Sequence, residues 1–332
     1  MTFDNIVFEP AAVQTEYGKK IYSSLVDKGM LSKIQRKSEL CKTEDAHRNF
    51  VQGKRTLIIG ARKPSKFETC KPSADFQLPI FSGCPGMCEY CYLLTRMGER
   101  SFVKVNVDIE NIFGIANKYI MDNQPNDTVF ELSASSDPLP FEPLTGLVSE
   151  VIEHFGKLKN GRLRICTKFE PAESILRAQH GGNVDFRSSI NTPKIIKEYE
   201  HATPMLENRL LSAKKIMDSG YTTGIMIAPV FIYDGWKGDY ENMLLMLADI
   251  LGNRITTFEV VTHRFTTKAK TAILNVFPET RLDMNEANRK YKMGQFGYGK
   301  YIYTPEQMKE IKEFFKNQIE KIFPNSRLLY IV

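Results

Sequence analysis

The middle of the chain alternates between short apolar runs and longer segments in which apolar residues recur every three or four positions. The apolar runs predict strands, which we place at Ser101–Val107, Thr128–Leu132, Arg162–Thr167, Asp185–Ile190, Thr222–Pro229 and Thr256–Thr262. The periodic segments predict helices, which we place at Asp108–Asp122, Leu144–Phe155, Pro171–Ala178, Pro193–Tyr199, Met205–Ser219 and Tyr240–Leu251. Strands that alternate with helices form a parallel sheet with helical crossovers. The pattern therefore predicts an α/β fold built as a complete or partial (β/α) barrel, with a doubly wound sheet as the alternative.

The two ends of the chain depart from this alternation. Two helical patterns, Ala11–Lys28 and Ser38–Phe50, precede a short buried strand at Thr56–Gly60 and indicate an N-terminal helical extension. Near the other end, two short strands around a glycine-containing turn predict a β-hairpin over residues 289–303. An amphipathic helix and a short strand follow, at Pro305–Phe323 and Arg327–Val332.

These boundaries predict three parts of the chain. The N-terminal extension covers residues 1–75, and the barrel covers residues 76–262 and begins with a strand at Phe76–Phe81. The C-terminal part covers residues 263–332 and carries the hairpin. We expect it to pack with the barrel as one compact unit.

The composition is typical of a globular protein with a substantial core. Hydrophobic residues make up 42% of the 332 positions. No apolar run approaches the roughly 20 residues of a membrane span, and the N-terminus lacks the basic and apolar segments of a secretion signal. We therefore expect a cytoplasmic protein that does not bind a membrane. The net charge of +6 is compatible with a polyanionic partner.

Three of the six cysteines lie in one loop, where Cys84, Cys88 and Cys91 have a C-x3-C-x2-C spacing. The glycines and the proline of this loop allow the three thiols to turn toward one centre. Thiolates are preferred ligands of iron–sulfur clusters, and a [4Fe–4S] cluster held by three cysteines keeps one iron open for a small molecule. A zinc site would need a fourth cysteine or histidine nearby, and His47 and His154 are far away in sequence. Zinc or free thiols remain the alternative.

The cysteine loop follows a predicted barrel strand, so we expect it at the carboxyl edge of the sheet, where barrels carry functional residues. The loop with its Tyr90 and Tyr92 resembles the radical S-adenosylmethionine superfamily. Further motifs follow in one order, at Glu131–Asp137, Thr167-Lys168, Ser189–Asn191, Ala228-Pro229, Thr262–Thr266 and Lys290–Gly294. Together they make nearly the whole chain similar to the spore photoproduct lyase family.

The resemblance implies a DNA repair reaction that starts with an organic radical. In this family the open iron binds S-adenosylmethionine, and one electron from the cluster splits the cofactor into methionine and a 5′-deoxyadenosyl radical. That radical takes hydrogen from C6 of the dihydrothymine half of the lesion 5-thyminyl-5,6-dihydrothymine, and the bridge bond then breaks. The implied partners are UV-damaged double-stranded DNA and an external electron donor of the flavodoxin or ferredoxin type.

The cofactor contacts of the family correspond in this sequence to Tyr90, Ser136, Lys168, Ser189 and Ala228. A lysine and hydroxyl groups suit this role because they can hold a carboxylate and a ribose. The resemblance also implies that Tyr90 and Tyr92 relay hydrogen between the donor and the cofactor. The alternative for the tyrosines is aromatic packing around the cluster, and for Lys168 and Ser189 it is a solvated strand end.

The sequence departs from the family at the residue that returns the last hydrogen atom. The family usually has a cysteine in the segment Glu131–Asp137, and this chain has Ala134 there. A methyl C–H bond is too strong to replace an S–H bond in this step. We predict that Cys70, just before the strand that leads to the cluster, is the donor, and a packed, idle thiol is the alternative. Cys166 is the second candidate, and Cys41 is the weakest.

The resemblance also assigns a role to the C-terminal hairpin. In the family it acts as a wedge that enters duplex DNA while the damaged dinucleotide turns out into the pocket. Gln295 and Phe296 correspond to the tip, where other members carry a basic residue and a tyrosine. Three lysines are expected to contact phosphates, namely Lys290, Lys292 and Lys300. His263 and Arg264 are expected to extend the basic rim of this DNA-binding surface. A hairpin that packs on its own domain is the alternative.

We therefore predict a radical S-adenosylmethionine lyase of the spore photoproduct lyase type. One rival is a paralogue that isomerises or modifies a DNA thymine and recovers its hydrogen from 5′-deoxyadenosine, for which Ala134 would be unsurprising. The other rival is a DNA-damage binding protein with a structural cluster and no turnover.

Overall fold

The computed structural model describes residues 3–30, 32–40, 42–98, 100–132, 134–294, 297 and 299–332. Its strands, numbered along the chain, are β1 (Asn5–Phe8), β2 (Ser32–Ile34), β3 (Thr56–Gly60), β4 (Thr69–Cys70), β5 (Ala74–Leu78), β6 (Phe81–Ser82), β7 (Met87–Cys88), β8 (Val103–Asn106), β9 (Thr128–Leu132), β10 (Gly161–Thr167), β11 (Val184–Ile190), β12 (Glu200–His201), β13 (Thr222–Val230), β14 (Thr257–Thr262), β15 (Lys290–Met293), β16 (Gly299–Ile302) and β17 (Arg327–Ile331). Its helices are α1 (Glu16–Asp27), α2 (Ala46–Lys54), α3 (Leu93–Met97), α4 (Ile109–Asn123), α5 (Glu142–Thr145), α6 (Leu147–Gly156), α7 (Glu173–Arg177), α8 (Pro193–Tyr199), α9 (Leu206–Asp218), α10 (Trp236–Leu251), α11 (Thr267–Val276) and α12 (Pro305–Ile322).

The main sheet, as far as the described residues show it, runs in the order β4-β5-β9-β10-β11-β13-β14-β17. Neighbouring strands are parallel except for β4, which pairs antiparallel with β5. The sheet is open and curls into half of a barrel. The predicted α/β partial barrel is confirmed.

The two faces of the main sheet differ in polarity. On β10, Leu163 and Ile165 are fully buried in the hydrophobic core that the helices cover. Arg164 and Lys168 point to the opposite, concave face, because side chains alternate along a strand. The concave face therefore carries the charged and polar groups of the barrel.

A smaller sheet runs in the order β2-β1-β3-β8-β6 among the described residues. The strand predicted at Ser101–Val107 forms as β8, but it pairs with β3 and not with a barrel strand. Its Val103 and Val105 lie in the same core as Leu57 and Ile59. An apolar run identifies a strand without identifying its neighbours, so the sequence pattern could not assign this strand to its sheet. Strands β1 and β2 were not predicted because three or four residues carry too little periodicity.

The C-terminal segment forms the predicted hairpin, helix and strand. In the hairpin, β15 pairs antiparallel with β16. Helix α12 begins with a capping box between Thr304 and Gln307 and buries Ile311, Phe315 and Ile319. The last strand, β17, joins the main sheet beside β14. None of the helices in the described part of the chain is long and apolar enough to span a membrane.

Candidate active site

The cysteine loop lies beyond the carboxyl end of β5 and is fastened to the segment that follows β9. The amide of Gly83 donates to the carbonyl oxygen of Ser135 (2.9 Å), and Ser136 Oγ donates to the carbonyl oxygen of Gly83 (2.5 Å). Gly83 has a φ of 77°, and a Cβ atom there would lie 2.5 Å from a backbone carbonyl oxygen. Buried Lys54 donates to the carbonyl oxygen of Cys84 (2.9 Å). These contacts hold the loop in one position at the edge of the barrel.

The three thiols of the loop are close enough to affect one another electrostatically. Burial, the Asp137 carboxylate and the other two cysteines raise the pKa of Cys84. The Gly86 amide donates to Cys84 Sγ (3.3 Å), and a Cβ atom on Gly86 would come within 3.4 Å of that sulfur. The donor set, three cysteine thiols of one loop, fits a [4Fe–4S] cluster, in which each cysteine would bind a different iron. Among the described residues, no three His, Cys, Asp or Glu side chains form a group that could hold a metal ion.

Glu200 organises the side chains next to the loop. Strand β12 pairs antiparallel with β7, so Glu200 lies opposite Cys88. Its buried carboxylate accepts a hydrogen bond from Arg209 Nη2 (2.5 Å) and forms an ion pair with Lys168 Nζ (2.9 Å). Tyr90 Oη also donates to this carboxylate, and Lys168 Nζ donates to Tyr90 Oη (3.1 Å). Burial alone would raise the pKa of Glu200, but Lys168 and Arg209 outweigh it and lower the pKa to about 2.

Asp137 fixes the backbone where β10 ends. Its carboxylate accepts hydrogen bonds from Thr167 Oγ1 (2.7 Å) and from the amide of Lys168 (2.7 Å). Burial raises the pKa of Asp137 to about 6, in spite of the hydrogen bonds that favour the charged form. Asp137 and Glu200 therefore hold Lys168 at its backbone and at its side chain.

The five residues predicted to contact the cofactor lie around the carboxyl ends of adjacent strands. Tyr90 and Lys168 are in direct contact, as described above. Ser136 is bound to the cysteine loop. Ser189, near the end of β11, is buried, and its carbonyl oxygen accepts a hydrogen bond from the same arginine that binds Glu200 (3.2 Å). Ala228 lies near the end of β13, the next strand of the sheet. Their roles toward a cofactor stay predictions.

Cys70 lies on the edge strand β4 and is close to Glu131 of β9. Burial first, and then the charge of Glu131 and a hydrogen bond to it, raise the pKa of Cys70 to about 12. Ser73 Oγ also donates to Glu131, and Arg164 of β10 donates to the carbonyl oxygen of Ser73. The raised pKa favours the protonated thiol, and a polar network holds Cys70 at the edge of the main sheet.

Tyr92 connects the cysteine loop with the region of Cys70. Its Oη donates to the carbonyl oxygen of Ala134 (2.6 Å), and 57% of the side chain is exposed. The charges of Cys91, Glu131 and Cys70 all raise the pKa of Tyr92. The phenol thus lies within electrostatic range of both the cluster loop and the candidate donor.

The other cysteines have different surroundings. Cys166 lies on β10 with its Sγ 3.8 Å from Met226 Sδ on β13. Burial raises its pKa. The predicted packed position agrees with this contact. Cys41 lies outside the described residues.

The basic residues predicted to bind DNA divide into two environments. His263 is only 3% exposed and stacks on Phe231 at a centroid distance of 4.6 Å, so the structure removes its ring from the predicted basic rim. Arg264 is exposed, and burial together with the charges of Arg264 and Lys292 lowers the pKa of Lys300. Three of the predicted basic residues therefore lie close together at the hairpin.

One strand of the hairpin is exposed, and the other is half-buried. Lys290, Tyr291, Lys292 and Met293 are all exposed on β15, and 61% of Met293 is accessible. The two predicted tip residues, Gln295 and Phe296, lie outside the described residues.

Sequence reasoning missed Glu200 and Arg209. Both belong to ordinary helix-like and polar patterns, and no motif marks them. Glu200 reaches Tyr90 and Lys168 because β12 pairs with β7, and Arg209 of α9 binds the same carboxylate.

Comparison with known proteins places this geometry in a family. A family model for spore photoproduct lyase matches residues 1–332. A spore photoproduct lyase of Clostridium acetobutylicum is 44% identical over 99% of both chains, and one of Bacillus subtilis is 35% identical over 98% of this chain and 97% of its own. A solved structure of spore photoproduct lyase complexed with dinucleoside spore photoproduct has a TM-score of 0.94 at 36% identity, covering 100% of this chain and 99% of the other. A mutant solved with bound AdoMet and the same dinucleoside gives the same TM-score and identity. The chain belongs to the spore photoproduct lyase family.

Proposed function

We propose that this chain is a DNA repair lyase that converts the spore photoproduct, 5-thyminyl-5,6-dihydrothymine, back to two thymines. The main support is a full-length match to relatives that are named for this activity. The three clustered cysteines also lie at the carboxyl edge of a half-barrel. Solved relatives bind the dinucleoside photoproduct, and one of them also binds AdoMet.

The cofactors of this enzyme are a [4Fe–4S] cluster and S-adenosylmethionine. When bound, they supply a 5′-deoxyadenosyl radical. Cys84, Cys88 and Cys91 would bind three irons of the cluster, and the amide that donates to Cys84 Sγ would stabilise the thiolate. The polypeptide holds and shields the reactants, while the chemistry belongs to the cofactors.

Lys168 is the proposed contact for the carboxylate of S-adenosylmethionine. An ammonium group has three N–H donors, and Glu200 and Tyr90 account for two of them. The third donor remains for the cofactor. Tyr90, Ser136, Ser189 and Ala228 would complete the cofactor site, because they surround the same strand ends as the cysteine loop.

Cys70 is the proposed donor of the last hydrogen atom. A donor of this kind needs an S–H bond and not a thiolate, and the raised pKa of about 12 keeps the proton on Cys70 at neutral pH. In the step, the S–H bond breaks, a C–H bond forms on the thymine radical, and a sulfur-centred radical remains. Tyr92 would return a hydrogen atom from its O–H group to that sulfur and regain one from Tyr90, and Tyr90 would regain one from 5′-deoxyadenosine. No hydrogen is then consumed by the protein.

The proposed substrate is the photoproduct within damaged double-stranded DNA. Lys290, Lys292, Lys300 and Arg264 would contact phosphates near the exposed hairpin, with Gln295 and Phe296 at its tip. An external electron donor of the flavodoxin or ferredoxin type would reduce the cluster.

The test compares product ratios in four proteins after anaerobic reconstitution with iron and sulfide. The parent, Cys70→Ala, Cys166→Ala and the double variant Cys70→Ala/Ala134→Cys each receive reductant, S-adenosylmethionine and the dinucleoside photoproduct. Repaired thymidine is measured per 5′-deoxyadenosine formed. We expect Cys70→Ala to lower this ratio by about tenfold or more, Cys166→Ala to leave it at the parent value, and the double variant to recover part of it, since an S–H donor returns at position 134.

Equal ratios in the parent and Cys70→Ala would refute the donor assignment. Cofactor cleavage by the parent without any repaired thymidine would favour the isomerising paralogue. No cofactor cleavage at all would favour the binding protein.

A further inference from the structure

A cavity of about 620 Å³ lies against the small sheet and has no part in the reaction described above. Its wall includes Ile58, Lys104 and Ser82, which are cross-strand neighbours on β3, β8 and β6. The alternating residues of the same strands, such as Leu57 and Val103, face the hydrophobic core. The small sheet therefore has one face in the hydrophobic core, and its other face, on which Lys104 and Ser82 lie beside the buried Ile58, borders this cavity.

The lining of the cavity is strongly basic. Among the described residues that line it, six are basic, namely Lys37, Arg62, Lys63, Arg96, Arg100 and Lys104. Two are acidic, and one of these, Glu68, is already bound by Arg96 (3.1 Å) and by Gln77 Nε2 (2.8 Å). The other is Glu9. The whole chain has a net charge of only +6, so a large share of its excess positive charge is concentrated here.

Four of the basic residues have no carboxylate partner among the residues that the structure describes. Within the described part of the chain, no Asp or Glu forms an ion pair with Lys37, Arg62, Lys63 or Lys104. Burial first, and then the charges of Lys37 and Arg62, lower the pKa of Lys104 to about 8, which Glu9 only partly opposes. Like charges held together in a partly buried space repel one another, and a bound anion would relieve that repulsion. The geometry and the charge both indicate a site for an anion.

The position of the cavity connects it with the lesion site. Ser82 precedes the cysteine loop, and Ser135 follows Ala134, the position next to Tyr92 Oη. Arg96 lies on α3, directly after the loop. A nucleic acid strand that leaves the active site on this side would pass along the basic wall.

We propose that this basic cavity binds phosphate groups, with Lys104 and Arg62 as the central contacts. The volume suits a nucleotide-sized group rather than a bare ion. The phosphate can come from the DNA backbone beside the lesion, a source that rests on the proposed function, or from a free phosphate compound. In either case the contacts are charge-assisted hydrogen bonds from lysine and arginine to phosphate oxygens.

The test uses the reconstituted enzyme with Lys104→Met, Arg62→Gln and the matched control Lys66→Gln. Lys66 is exposed on the same loop as Arg62 and does not line the cavity, so the control removes the same charge nearby. Binding of an undamaged duplex of about 20 base pairs is followed by fluorescence anisotropy over a salt series. Turnover of the dinucleoside photoproduct, which carries no flanking phosphates, reports the proposed function separately.

If the bound phosphate groups belong to DNA, we expect each cavity variant to weaken duplex binding and to reduce the steepness of log K against log salt by about 0.9. Turnover of the dinucleoside should stay at the parent value. If the site binds a free phosphate compound instead, the salt slopes of the cavity variants would equal that of the parent. Inorganic phosphate would then raise the melting temperature of the parent and of Lys66→Gln but not of the cavity variants. Both results support the site and identify its source. Cavity variants that match Lys66→Gln in both measurements would overturn the proposal.

Discussion

The carboxylate of Glu200 is buried, accepts hydrogen bonds from Arg209 and Tyr90, and forms an ion pair with Lys168. A buried charge of this kind is costly by itself and is stable only because two cations share it. The side chains of the candidate cofactor site therefore depend on a residue that need not touch the cofactor.

Replacing Glu200 with alanine should destabilise the apoprotein strongly. The substitution leaves Arg209 and Lys168 as uncompensated buried charges, so we expect a loss of about 3–5 kcal/mol in the free energy of unfolding. Urea unfolding followed by circular dichroism measures this. Glu173→Ala is the control, because its ion pair with Arg177 is exposed, with 65% and 78% of the side chains accessible. The control should change stability by less than about 0.5 kcal/mol, and an equal effect of the two variants would contradict the interpretation.

Single residues differ in how far the sequence alone can predict their roles. The spacing of Cys84, Cys88 and Cys91 predicts the cluster loop because ligands that are close in sequence stay close whatever the rest of the chain does, and their role as ligands stays a prediction. Cys70 was a weaker prediction, because its raised pKa depends in part on Glu131. Glu131 lies 61 residues away and is adjacent only through the pairing of β5 with β9. His263 was assigned to the rim because a strand end usually faces solvent, yet it is buried under Arg289, whose Nη1 donates to its carbonyl oxygen (3.2 Å).

Among the elements, the hairpin has one strand, β15, whose four residues are all exposed. Tyr291 and Met293 point to the same side of β15, because alternate residues of a strand share a face. Tyr291 packs edge-on against Tyr301 of β16 at a centroid distance of 5.2 Å. Gly299 permits this packing, since a Cβ atom there would collide with the Tyr291 ring. Met293 extends beyond it, toward the tip.

Truncating Met293 should affect duplex DNA and spare the small substrate. An apolar side chain near a wedge fills space between unstacked bases, so we expect Met293→Ala to lower kcat/KM for a photoproduct within a duplex by about tenfold. Turnover of the dinucleoside photoproduct should stay unchanged. The matched control is Met121→Ala on α4, where a methionine that is also exposed (70%, against 61% for Met293) lies on a helix. Equal losses on both substrates would show that the hairpin supports folding and not DNA opening.

At the scale of the whole molecule, His263 couples the stability of the fold to pH. Burial, together with the charge of Arg289, lowers its pKa to about 3. An unfolded histidine has a pKa of about 6.5, so above that pH the ring is neutral in both states and contributes no pH dependence. Between the two values only the unfolded chain takes up the proton. Stability is therefore lost as the pH falls below the unfolded pKa.

The expected loss from His263 alone is about 2 kcal/mol between pH 7 and pH 5. Urea unfolding of the apoprotein at both pH values measures the total change, to which Asp137 and other groups also contribute. His263→Gln isolates one group, since glutamine does not titrate, and its stability should fall less over this interval by about that amount. The same pH dependence in parent and variant would contradict a buried neutral histidine.

The sequence by itself determined the alternation of strands and helices, the half-barrel class and the three cysteines that follow its first parallel strand. These features are local, because periodicity and short spacings act within one segment of the chain. Tertiary structure decided which sheet β8 joins, which residues surround Cys70, and that Glu200 and Arg209 support Tyr90 and Lys168. It also decided that six basic residues scattered between positions 37 and 104 line one cavity. Long-range strand pairing brings these groups together, and no local pattern in the chain records that pairing.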